Sequence, residues 1–66
     1  MNIKDELLFN RTGLVKVRSK RTGRIVYVEA SNYGGEYMIW GQISPTNERG
    51  WYFDIDDLEI VEKEED

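Results

Sequence analysis

The chain has 66 residues, a formal net charge of -4, and neither cysteine nor histidine. A chain of this length forms one domain and buries only about 60% of its unfolded surface, which leaves little core for a catalytic cavity. The missing cysteine and histidine exclude a disulfide framework, thiol chemistry and the usual zinc ligands, so no cofactor or metal is expected and oligomerisation stays open as a source of stability.

Residues 1–10 are predicted to form a short N-terminal helix or arm. Asn2 is a candidate N-cap, and Asp5 lies three positions later, near the positive end of the helix dipole. Ile3, Leu7 and Leu8 would share one side of the helix. Such a short helix is not stable alone, so it must dock on the rest of the domain or on a second chain.

The same N-terminus lacks the features of a targeting segment. Asp5 and Glu6 occupy positions where a signal peptide needs basic residues followed by a long apolar stretch. No apolar run approaches the 18 residues of a membrane span. We therefore expect a cytoplasmic protein with no membrane partner.

The first strand is predicted from Leu14, where Val15 and Val17 alternate with Lys16 and Arg18 in the pattern of a half-buried strand. A polar turn at 19–23 ends in glycine, and residues 24–30 would return as the antiparallel partner. The β-forming residues 25–28 leave the inward face of that second strand open. A bulge or bend at the turn would decide it.

The third strand is predicted over residues 36–43, after a loop at 31–35 that contains two adjacent glycines. Alternation divides the third strand into two faces. One face holds Tyr37, Ile39, Gly41 and Ile43, and the other holds Met38, Trp40 and Gln42. Gly41 would permit close backbone approach in a small curved sheet. A turn at 44–48 contains Pro45, which cannot continue a ladder.

The fourth strand is predicted to begin at Gly50 or Trp51 and to continue through the aromatic residues to Phe53. Residues 54–58 have the composition of one 3₁₀ turn, because short acidic side chains accept backbone N–H bonds. Residues 59–61 would form a short last strand. The tail at 62–66 is a run of charged residues that we expect to be frayed.

Three segments carry a resemblance to the SH3-like small-barrel superfamily. Arg49–Phe53 followed by Leu58–Val61 resembles the end of an SH3 domain, and Val15–Val17, Thr22–Val26 and Asp57–Val61 resemble KOW-type barrels. The resemblance implies a mainly all-β fold, with a five-stranded SH3-like barrel over residues 13–61 and a 3₁₀ turn before the last strand. Asp54 stands where SH3 domains carry a proline, so a proline-rich ligand is not expected.

Aromatic and acidic residues suggest a protein-binding site. Alternation would leave Trp40 and Tyr52 exposed, and Tyr33 lies in the loop with two adjacent glycines. With Trp51 these residues are candidate apolar anchors for a partner. The alternative for Trp40 is a core position under the N-terminal helix. Asp54, Asp56 and Asp57 would steer a basic partner, within an acidic face completed by Glu36, Glu48 and Glu59. As a metal site the three aspartates lack the needed ligand spacing, and turn formation explains them better.

Charge is divided unevenly along the chain. Residues 1–33 hold seven basic and three acidic residues, giving +4, and residues 34–66 hold two basic and ten acidic residues, giving -8. The halves either attract each other within the fold or face different partners. The basic hairpin consists of Lys16, Arg18, Lys20, Arg21 and Arg24. It would contact phosphates, or else protect an edge strand.

These features give three functional hypotheses. The first is a non-catalytic interaction module or small regulator that binds a larger protein, in the style of a phage or bacterial accessory protein. The second is a KOW-like module that binds RNA, DNA or a ribonucleoprotein through the basic hairpin. The third is a small homo-oligomer that binds a nucleotide-like ligand between aromatics and Arg18, Arg21 or Arg24. Catalysis is not expected, because no nucleophile motif or phosphate loop is present.

Overall fold

The computed structural model describes residues 2–61, in which five strands form one antiparallel sheet. The strands are β1 (Leu14–Ser19), β2 (Ile25–Glu29), β3 (Met38–Ser44), β4 (Asn47–Asp54) and β5 (Leu58–Ile60). Their order in the sheet is β4-β3-β2-β1-β5. The predicted mainly β architecture of five strands is confirmed. The sheet itself is open, because β4 and β5 are not paired with each other within residues 2–61.

The N-terminal segment is helical and packs on its own chain. An α-helical turn, α1 (Ile3–Asp5), continues as a π-helical turn over Glu6–Asn10. The Asn2 side chain accepts the Asp5 backbone N–H at 3.0 Å, so the predicted N-cap is confirmed. Leu7 is almost fully buried in the core. Leu8, the next residue of the turn, is exposed, so it does not share the buried side of Leu7 as predicted.

The structure of the β1–β2 hairpin shows which side chains of β2 face inward, a point that the sequence left open. Val17 pairs with Val26, and Val15 pairs with Val28, so all four valines point to the same side of the sheet and are buried. The connecting turn reverses at Gly23, whose φ of 80° is accessible to glycine at little cost. The predicted alternation in β1 is therefore confirmed. The buried valines of β2 lie on the same face of the sheet as those of β1.

The β3–β4 hairpin follows the predicted alternation at its centre and departs from it at its ends. Ile39 and Gly41 are buried, as expected for the inward face. Tyr37 is 71% exposed, because β3 begins at Met38, two residues after the predicted start, and Tyr37 lies in the preceding loop. Ile43 is also exposed, at the register shift between Gln42 and Ser44. Tyr37 and Ile43 therefore do not share the burial of Ile39 and Gly41, with which alternation grouped them.

The hydrophobic core lies between the inner face of the sheet and the helical turns. Its buried side chains are Leu7, Val15, Val17, Val26, Val28, Ala30, Tyr33, Ile39, Ile55 and Leu58. Two 3₁₀ turns, Ala30–Asn32 and Ile55–Asp57, each contribute buried residues to it. The second confirms the 3₁₀ turn predicted before the last strand.

Helices within residues 2–61 are too short and too polar to cross a membrane. The predicted frayed tail at 62–66 lies outside the described residues. The connection between β3 and β4 contains only residues 45–46. β4 begins at Asn47, three or four residues before the predicted start at Gly50 or Trp51, and is the longest strand of the sheet.

Candidate functional site

The acidic 54–57 segment builds the second 3₁₀ turn and attaches it to the β1–β2 hairpin. Asp54 Oδ1 accepts the Asp56 backbone N–H at 3.1 Å and caps the turn. Asp57 accepts the Ser19 hydroxyl at 2.5 Å and the Arg21 backbone N–H at 3.0 Å. Turn formation, the interpretation favoured by the sequence, thus accounts for Asp54, whereas Asp57 joins the turn to the β1–β2 hairpin. The Asp57 carboxylate is occupied within the chain, which leaves Asp54 and Asp56 as the exposed acids of this segment.

The contacts of Asp57 lower the pKa of its carboxyl group. The Ser19 hydroxyl donates the hydrogen bond that lowers this pKa most, and desolvation opposes it. The Arg21 backbone N–H and the charges of Arg21 and Lys20 lower it further. The ionised form is therefore favoured in the folded protein.

We expect this contact to make the protein sensitive to acid. A carboxyl whose pKa is lowered by folding stabilises the fold above its unfolded pKa, 3.8 for aspartate, and loses that contribution as the pH falls through the folded value. Asp57→Asn removes the titrating group. In thermal melts between about pH 6 and pH 2, where carboxyls titrate, the difference in Tm between wild type and Asp57→Asn should narrow as pH falls. A constant difference would show that Asp57 does not titrate differently in the two states.

The basic hairpin residues are spread over several contacts instead of forming one free surface. The Arg18 guanidinium bonds Glu59, its cross-strand neighbour in β5, at 2.5 Å. The Arg24 guanidinium lies 4.7 Å from the centre of the Trp51 ring. Lys20 and Arg21 lie in the turn held by Asp57. Lys16, on the outer face of β1, is half-buried and pairs in register with Tyr27.

Tyr33 is buried, and the prediction that it is exposed was wrong. Only 7% of its surface is accessible, because the first 3₁₀ turn directs the ring into the core. Its hydroxyl donates to the backbone oxygen of Glu36 at 2.7 Å. Burial raises the pKa of the Tyr33 hydroxyl, and the charges of Glu36 and Asp56 add to this effect. The Tyr33 ring lies beneath the surface that contains Trp40 and Tyr52.

Trp40 and Tyr52 form an exposed aromatic pair on the outer face of the β3–β4 hairpin. They are direct cross-strand partners with ring centroids 5.0 Å apart and an angle of 79° between the rings. Trp40 is 40% exposed and Tyr52 is 65% exposed. The Trp40 indole N–H donates to the backbone oxygen of Glu48 at 2.9 Å, which fixes the ring. Of the two alternatives for Trp40, the exposed one is correct.

A groove with a volume of about 780 Å³ runs beside this aromatic pair. Trp40, Tyr52 and Met38 supply apolar walls. The remaining lining residues are polar or acidic, or belong to the core beneath: Glu29, Asn32, Tyr33, Glu36, Ile39, Gln42 and Glu48. No lysine or arginine within residues 2–61 lines it. We call this surface the acidic aromatic groove.

Trp51 lies on the other face of β4, away from the Trp40 and Tyr52 rings. It pairs in register with Gly41 and meets Phe53 edge to face at 6.3 Å. Trp51 is 46% exposed and borders a second pocket of about 480 Å³, next to Arg21 and Arg24 of the β1–β2 turn. The four anchors predicted from the sequence are thus divided: two share the acidic aromatic groove, one is buried beneath it and one faces the second pocket.

Among the acidic residues and apolar walls of the groove, sequence reasoning missed Glu29 and Met38. Met38 has the same strand parity as Trp40, so alternation already placed it on the outer face, although it was not singled out. Glu29 ends β2 and was not named as a site residue, although a hairpin could place it near Glu36; the fold brings both beside Glu48.

The chemistry that the groove offers is attraction for cations. Ring faces and carboxylates both favour positive charge. Within residues 2–61 the carboxylates form no group that could hold a metal ion. No protein-family model, curated protein sequence or solved structure matches this chain.

Proposed function

We propose that this protein is a non-catalytic SH3-like module that binds a basic segment of a larger protein in the acidic aromatic groove. The observation that carries the proposal is the groove itself, with two exposed rings, three glutamates and no basic residue among its described lining residues. The SH3-like assignment draws support from the strand order, in which β1 lies between β2 and β5, and from the 3₁₀ turn before β5.

The rings and glutamates suit arginine or lysine side chains of a partner. The aliphatic stem of such a side chain packs on indole and thioether surfaces while its charge lies near carboxylates. A guanidinium also stacks on an aromatic face, and within this chain Arg24 already does so over Trp51 at 4.7 Å. Charge complementarity would speed association as well as select the partner.

The walls of the groove are held in place before any ligand arrives. The Trp40 ring is fixed by its bond to the Glu48 backbone. Glu36 accepts the Gly34 backbone N–H at 2.9 Å, and this bond lowers the pKa of the Glu36 carboxyl, so the carboxylate form is favoured. A preformed site loses less conformational freedom on binding.

A charge-neutral replacement of Glu48 tests the proposal. The probe is a blocked octapeptide of alternating threonine and arginine, titrated calorimetrically. Glu48→Gln should weaken binding about threefold to tenfold, which corresponds to the loss of one partly exposed charge contact. Glu59→Gln is the matched control, because Glu59 lies on β5 and bonds Arg18 outside the groove; its affinity should equal that of wild type.

Three results would contradict this function. One is an octapeptide that fails to bind at low salt. Another is equal weakening by Glu48→Gln and Glu59→Gln, which would indicate attraction to net charge alone. The third is tighter binding of a single-stranded RNA than of the peptide at the same salt concentration, which would favour the basic hairpin as the binding surface.

A further inference from the structure

The two edges of the sheet differ in length. β5 has three residues, Leu58–Ile60, whereas β4 has eight, Asn47–Asp54, with three consecutive aromatics in its second half. Proteins protect sheet edges by making them short, charged or covered, because unpaired backbone groups accept another strand. β4 is long and rich in β-forming residues, and within residues 2–61 its outer edge is unpaired.

The hydrogen-bonding pattern identifies which backbone groups face this edge. The Ile55 N–H donates to the Tyr37 oxygen at 2.7 Å, in register with the Met38 and Asp54 pair. Backbone groups alternate in direction along an antiparallel strand. Odd-numbered residues near this end of β4 therefore bond β3, while the N–H groups of Tyr52 and Asp54 point outward.

Two pockets border this edge. Glu48 and Tyr52 border the acidic aromatic groove on the outer face. Trp51 and Phe53 of the inner face border the second pocket, which Tyr52 and Met38 of the outer face also line. Successive side chains of a strand point to opposite faces, so every second side chain of a strand paired with β4 would lie on the side of the acidic aromatic groove.

We propose that the partner segment binds as an added strand along β4, with its basic side chains on the groove side at every second position. This inference rests on the proposed function and specifies its mode of recognition. Backbone hydrogen bonds to Tyr52 and Asp54 supply affinity that is independent of ligand sequence, and the groove selects the basic residues.

A second copy of this chain fits the edge less well than a basic partner. Its own β4 would bring Glu48 and Asp54, with Arg49 as the single basic residue of the strand. Carboxylates would then approach the glutamates of the groove, and like charges placed together disfavour pairing. The occupant is therefore a basic extended segment of a different protein.

Amide hydrogen exchange, measured residue by residue by NMR with the threonine and arginine octapeptide, tests this mode. Saturation with peptide should slow exchange at the Tyr52 and Asp54 amides by about tenfold or more, because these groups become hydrogen-bonded. The Trp51 and Phe53 amides serve as internal controls, since they already face β3. Two further peptides carry methyl groups on the backbone nitrogens, one at all threonines and the other at all arginines. In an added strand only one of these two sets of N–H groups faces β4, so only one of the two methylated peptides should lose binding.

The outcomes separate the mode from the function. Peptide that binds without slowing exchange at Tyr52 and Asp54 overturns strand addition and leaves the proposed function standing. Equal effects of the two methylated series also overturn it. Peptide that does not bind overturns both. In the absence of peptide, exchange at Tyr52 and Asp54 that becomes slower as the protein concentration increases, together with a dimer in sedimentation, overturns binding of a basic partner strand in favour of a second copy on β4.

Discussion

Replacement of Gly50 by alanine is expected to unfold the protein or leave it barely stable. A Cβ atom at Gly50 would overlap the backbone carbonyl oxygen of Gly41 on β3, and backbone cannot move aside as a flexible side chain can. Overpacking of this kind costs about 3 kcal/mol or more. Domains of this size are stable by only about 3–10 kcal/mol, so most of the stability would be lost. Urea denaturation measures the loss.

Alanine substitutions at two other glycines provide reference values for the loss of stability. At Gly34 a Cβ would meet only the exposed Glu36 carboxylate, at 3.2 Å, so Gly34→Ala should cost less than about 1 kcal/mol. At Gly41 the neighbours are the Val26 and Phe53 side chains at 2.7 and 2.9 Å, which can shift, and the cost should be intermediate, about 1–3 kcal/mol. A Gly50→Ala protein as stable as Gly34→Ala would contradict the close approach of β4 to β3.

Replacement of Trp40 by alanine is expected to abolish most ligand binding while the fold persists. Trp40 forms one wall of the acidic aromatic groove and is fixed there by Glu48. Loss of an aromatic anchor at the centre of an interface weakens binding by about 30-fold or more. The ring lies on the outer face, away from the buried core, so the thermal unfolding transition should remain cooperative. Calorimetric titration with the octapeptide and circular dichroism measure the two properties.

Phe9→Ala is the matched control for the Trp40 variant. Phe9 is an aromatic residue of the N-terminal segment, 76% exposed, and it does not line the groove. Its replacement should leave peptide affinity unchanged. Equal losses in the two variants would mean that the peptide responds to exposed aromatic surface in general. Tyr52→Ala should reproduce the Trp40 result, which keeps the test decisive if Trp40→Ala lowers stability.

Much of the candidate site was predictable from strand periodicity. Alternation around Ile39 and Gly41 gave an outward Trp40 as one of two alternatives, and alternation in the fourth strand placed Tyr52 on the face opposite to Phe53. The two rings meet only because the register of β3 and β4 pairs Trp40 with Tyr52, and a turn of only two residues sets that register. The sequence indicated a longer turn and a later start to the strand, so it could not place the two rings together.

The errors fall where loops, rather than strands, direct side chains. Tyr33 follows adjacent polar residues and precedes two glycines, a pattern typical of an exposed loop, yet a 3₁₀ turn directs its ring into the core. Tyr37 was assigned to a strand face and lies instead in the loop before β3. Loop conformation depends on contacts that are distant in sequence, such as the bond between Ile55 and Tyr37.

The sequence by itself determined the class of the fold and the approximate positions of its turns, because alternating apolar residues and glycine-containing segments act locally. Only the tertiary structure decided which charges remain available. Arg18 meets Glu59 and Ser19 meets Asp57 across about 40 residues of chain. These contacts occupy members of both the basic hairpin and the acidic turn, while Glu29, Glu36 and Glu48 come together from three separate segments. Electrostatic interactions depend on distance in space, and the sheet order that sets those distances cannot be read from local patterns.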